Sequence, residues 1–122
     1  MKRDNLLRLA RFKVSEKRRQ VEQLELMMGE FERMASDLDL QIESEEKKSG
    51  ITDPEHFAYS TFAKAARQRR DNLAHSAKDL RVQINAAKIA LEEAEAEYEN
   101  AEKLEQRDSQ RDDSPEKRSL AG

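Results

Sequence analysis

Apolar residues recur along the chain every seven positions, in two separate series. In the first, heptad position a falls on Leu7, Val14, Val21, Met28, Ala35 and Ile42, and position d on Ala10, Lys17, Leu24, Phe31, Leu38 and Glu45. All six a residues and four of the six d residues are apolar, without a phase break, which is the pattern of a helix packed along a stripe against another helix. In the second series d is Tyr59, Ala66, Leu73, Leu80, Ala87, Ala94 and Ala101, and a is Ala63, Arg70, Ala77, Ile84, Leu91 and Tyr98, with Arg70 alone interrupting. The spacing predicts one helix over about 4–48 and another over about 54–106, roughly 65 and 78 Å long at ~1.5 Å per residue. Asp4 is a candidate N-cap for the first. Gly29, at an outward b position, costs that helix about 1 kcal/mol relative to Ala.

Between the two series lies the one collection of helix-breaking residues in the first 105 positions, KKSGITDPEHF from Lys47 to Phe57. Gly50 suits the position just past a helix end. Asp53 followed by Pro54 reads as a helix start, because Pro at the first helical position gives up an N–H that has no partner there anyway. Thr52 and Glu55, three residues apart, add a possible capping box. The expectation is therefore a bend over 49–53 and an antiparallel coiled-coil hairpin, an all-α fold. After Gln106 the text turns polar and aperiodic (RDSQRDDSPEKRSLAG), which predicts a disordered tail over 107–122.

Folding at the midpoint of that bend sets Leu7 against Ala94, Val14 against Ala87, Met28 against Leu73 and Ala35 against Ala66. Each such layer is a against d, as antiparallel packing requires. Charge supports the same direction of pairing. Residues 1–20 carry eight Lys/Arg and two acids, and 22–46 carry nine acids and one Arg. Residues 64–88 hold seven Lys/Arg and two acids, and 92–105 hold seven Glu and one Lys. A hairpin brings opposite blocks together, whereas a parallel homodimer would oppose like charges. Exposed pairs are worth only ~0–1 kcal/mol each, so they select a register more than they stabilise it. In this register the e flank is mostly complementary, with Arg18 against Lys88 as the exception.

The other flank differs. Its g positions include Leu6, Met27, Met34, Phe62, Ala90 and Leu104, and the outward f positions include Phe12, Leu26, Leu40, Val82 and Ile89. A seam of about fourteen large apolar residues, at roughly 1.5–3 kcal/mol each, has to oppose ~1–2 kcal/mol of backbone entropy per ordered residue. An isolated hairpin is then marginal, and surplus apolar surface on it points to a partner.

Composition narrows the chemistry further. Of 122 residues 40% are charged and 5% aromatic, with no Cys, which suits a coiled coil in a reducing compartment and excludes thiolate sites. The net charge of −3 gives no bulk reason to expect nucleic-acid binding. No apolar run approaches a membrane span, and the N-terminus lacks the h-region of a secretory signal. His56 and His75 have no companion ligands near them, so no metal site is expected. The Glu run 92–105 reads as a solvated face rather than a catalytic pair, and RQRR at 67–70 as a partner for the acidic block of the first helix. With no phosphate loop, nucleophile elbow or metal spacing, no enzyme and no cofactor are expected.

Three stretches, FKVSEKRRQVEQLE (12–25), FERMASDLDLQIESEE (31–46) and above all GITDPEHFAYSTFAKAARQRRDNL (50–73), resemble FliJ, the small component of the flagellar type III export apparatus, in the form found in alphaproteobacteria. The resemblance covers roughly residues 1–105. It implies an antiparallel two-helix stalk, similar to that of rotary ATPases, which binds the export ATPase ring and its regulator, the membrane export gate and export chaperones. It also implies a cytoplasmic protein peripherally associated with the inner membrane at the flagellar base, a monomeric hairpin, and a role in motility. No catalytic residues come with the family.

The unpaired apolar residues suggest two contact zones. Leu6, Leu9, Phe12, Ile89 and Tyr98 would sit in the ATPase ring, and Met34, Leu40, Phe57, Tyr59 and Phe62 would meet the gate. The stalk of an injectisome-type secretion system, or a generic coiled-coil adaptor, would satisfy the same physics.

Overall fold

The computed structural model describes residues 2–112, which form two helices, α1 (Lys2–Ser49) and α2 (Thr61–Asp112), and no strand. The helices run antiparallel and pack against each other in two compact units, one built from residues 2–22 and 86–112 and the other from Gln23–Asn85. Within each unit the heptad reading predicts what is covered. Every a and d residue of both series is buried or half-buried, including the polar members Lys17, Glu45 and Arg70. The buried apolar residues are Val21 and Ala94 in the first unit and Ile42, Tyr59, Ala63, Ala66, Leu80 and Ile84 in the second.

α1 ends as its sequence dictates. Gly50 takes a positive φ of 71°, and its N–H donates to the Glu46 carbonyl at 2.9 Å. A Cβ at that backbone angle would be strained, so the glycine stops the helix where a longer side chain would be disfavoured.

α2 does not begin at Pro54. Asp53 accepts from Glu55 N at its side chain (3.0 Å) and from His56 N at its carbonyl (3.1 Å). His56 repeats the device, taking Ala58 N on Nδ1 and Tyr59 N on its carbonyl, each at 3.0 Å. These short-range acceptors offer the backbone N–H groups an alternative to the helical ladder, and residues 54–60 stay as consecutive turns. The N-cap is Ser60, whose Oγ accepts from Ala63 N at 3.2 Å and whose carbonyl accepts from Lys64 N at 3.0 Å. His56 thus belongs to the turn.

Because seven residues stay out of α2, the register differs from the expected one by about a heptad. Arg18 lies 3.8 Å from Glu95 where Lys88 was expected, and Lys13 bonds Glu97 at 3.1 Å. In the second unit Glu46 meets Arg67 at 3.2 Å, where the expected register set Asp39 opposite Arg67, and Asp39 meets Arg70 at 2.9 Å. A slip of seven keeps a against d, so Val14 now shares a layer with Ala94 and Ala35 with Leu73. At the far end α2 continues through 107–112, six residues past the expected boundary, and the remainder of the expected disordered tail lies outside the described residues.

Candidate docking surfaces

In the unit made of residues 2–22 and 86–112, Leu6 and Leu9 lie on the same side of α1 and line a groove with Ala10, Ala101 and Leu104 of about 420 Å³. Lys13 and Glu97 close one edge of it with their ion pair. Leu6, Leu9 and Leu104 remain more than half exposed, so the groove is apolar and open. Leu104, like Ala10 and Ala101, was not among the expected contact residues. Its g position, directly across from that of Leu6, is the signal that identifies it.

Phe12 and Ile89 are exposed but do not line this groove. Tyr98 is on the opposite flank, half-buried in a depression with Val14 and Arg18. Its hydroxyl accepts from Arg11 Nη2 at 3.3 Å, and the guanidinium stands 5.8 Å from the ring centroid. That hydrogen bond, with Glu102 and Glu105 nearby, holds the Arg11 guanidinium above its ordinary pKa. Tyr98 is committed to its own chain.

In the unit Gln23–Asn85 the expected five separate in the same way. Met34, Leu40 and Phe62 are exposed on the helices, and Phe57, in the turn, is 97% exposed with its ring stacked on His56 at 4.7 Å. Leu26, Met27 and Val82 add to the exposed apolar set. Tyr59 does not belong with them. It is buried, and its hydroxyl accepts from Arg67 Nε at 2.8 Å, while Arg67 Nη2 reaches the Glu46 carboxylate at 3.2 Å. The Tyr59 hydrogen bond is the largest cause, and Glu46 a further one, that raises the Arg67 guanidinium above its ordinary pKa. RQRR is largely spent inside the chain, since Arg70 also meets Asp39. A groove of about 600 Å³ in this unit runs beside those ion pairs past Ile42, Gly50 and Thr52, and includes none of the expected contact residues.

Among the described residues no cluster of three or more His, Asp or Glu could hold a metal ion, and no helix is long and apolar enough to cross a membrane. No known protein family, curated protein or solved structure matches the chain. Both units present exposed apolar side chains on their helices, and the unit Gln23–Asn85 also at its turn.

Proposed function

We propose that the chain is a stalk-like component of the flagellar type III protein export apparatus, which binds the export ATPase ring and links it to the membrane export gate and to export chaperones. The observation that carries this reading is the resemblance of residues 50–73 to the bend region of FliJ. The antiparallel pairing of α1 and α2 is consistent with it. Leu6, Leu9 and Leu104 supply the ATPase-facing contact, with Phe12 and Ile89 as further exposed apolar residues of the same unit. Met34, Leu40, Phe57 and Phe62 supply the gate-facing one. Tyr59 and Tyr98 position neighbouring residues and are not contacts.

The test uses the full chain in a flagellated host that lacks its own copy. Leu6→Ser with Leu9→Ser should abolish co-purification with the export ATPase, and Phe57→Ser with Phe62→Ser should abolish binding to the gate. Both should stop swimming while leaving the helical circular dichroism unchanged. Full motility with both double variants would reject the reading, and loss of effector secretion in place of swimming would assign the chain to an injectisome.

A further inference from the structure

The chain carries two helix-start signals seven residues apart. One is Asp53-Pro54, with Thr52 and Glu55 spaced for a capping box, and the other is Ser60, which α2 uses. Seven residues is one heptad, so a displacement of α2 along α1 by that amount returns every a residue to a d partner. We propose that the helix pair is a two-register device, in which α2 slides by one heptad, about 10 Å, as residues 54–60 pass between turn and helix.

The construction of the turn supports this. Residues 54–58 are all exposed, and their hydrogen bonds run to acceptors no more than three residues away. Drawing them into α2 exchanges those bonds for helical ones, with Asp53 as N-cap and Pro54 at the first position, where its missing N–H costs nothing. Gly50 to Asp53 then remain as a four-residue connection, a normal length between antiparallel helices. The seam survives the move. Val14 exchanges Ala94 for Ala87, Ala35 exchanges Leu73 for Ala66, and Ile42 gains Tyr59.

What changes is the charged flank. In the observed register Arg18 faces Glu95 and Arg67 faces Glu46, whereas after the slide Arg18 faces Lys88 and Arg67 faces Asp39. Arg67 faces an acid in either register, so the exchange of Glu95 for Lys88 opposite Arg18 and the loss of a partner by Glu46 favour the register with the turn, and the added helical turns favour the other. An agent that binds residues 54–60 as a helix, or that neutralises Glu46, shifts the balance.

The absence of native cysteine allows disulfide trapping in the full chain. V14C/A94C reports the observed register and V14C/A87C the displaced one. Both pairs should close within single chains under mild oxidation, the second in a minority of molecules. E46K, which sets Lys against Arg67 in the observed register and near Ser60 in the other, should raise the V14C/A87C yield several-fold. F57P, which bars a helix through the turn, should lower that yield by more than about tenfold while leaving V14C/A94C intact. The proposal is overturned if V14C/A87C fails to close in either background. It is equally overturned if F57P leaves its yield unchanged, since the disulfide would then report looseness without a slide.

Discussion

Replacing Gly29 by Ala should stabilise the chain by about 1 kcal/mol, because the residue sits inside α1 where glycine pays backbone entropy. The added Cβ would meet only the Arg33 guanidinium, at an ordinary 3.6 Å. Gly50→Ala should do the reverse and cost about 1–2 kcal/mol, since open space around it does not relieve a φ of 71°. Paired thermal melts of the two variants check both signs. Tyr59→Phe keeps the buried ring and removes the acceptor for Arg67 Nε, which should cost about 1 kcal/mol in a partly exposed setting. The raised Arg67 pKa fixes the pH dependence of that interaction. Its stabilisation is present below the unfolded-state value and is lost only as pH rises through the still higher folded one. The destabilisation by Tyr59→Phe should therefore be the same in denaturant melts at pH 7 and pH 9. Gly50 could be identified from the sequence by residue type alone. Tyr59 could not, because its d position predicts burial but says nothing of the arginine two turns on that occupies its hydroxyl.

Along the helices, burial separates residues that composition treats alike. Leu80 is 3% exposed and Leu26 is 71% exposed. Leu80→Ala should cost ~3 kcal/mol and Leu26→Ala less than ~0.5 kcal/mol, a contrast that urea melts on the two variants would measure. The heptad phase predicts this from sequence, and among the described residues every buried position of α1 and α2 falls at a or d. Register is harder to obtain, because a period of seven is blind to a slip of seven. The deciding signals were local and electrostatic. Asp53 and His56 have side chains that compete for backbone N–H groups, so the Asp-Pro start is preempted and Ser60 takes its place. On the e flank, the expected opposition of Arg18 and Lys88 was the sign of a wrong register, and Glu95, one heptad on, removes it. The exposed apolar residues were legible as surplus positions outside the seam. The aromatic residues at seam positions, Tyr59 and Tyr98, turned out to serve the helix pair itself.

For the chain as a whole, the question is whether one copy suffices to fold. The cross-helix ion pairs Lys13–Glu97, Arg18–Glu95, Asp39–Arg70 and Glu46–Arg67 can close within one chain, and among the described residues eight apolar residues are buried, three of them alanine. A core of that kind supports a fold at the low end of the usual 5–15 kcal/mol. If the pairing is intramolecular, the unfolding equilibrium contains no concentration term. The melting temperature should then stay constant when protein concentration changes a hundredfold, and sedimentation should give the mass of one chain throughout. An obligate dimeric adaptor built from the same heptads would behave otherwise, because mass action ties its stability to the concentration of a second copy. A melting temperature that climbs with concentration would assign the helix pairing to two chains. Stabilisation by an added ATPase ring would raise the melting temperature too, but through the ring's concentration. At 100 times the dissociation constant the gain is about 2.7 kcal/mol, a shift of several degrees for a domain of this size.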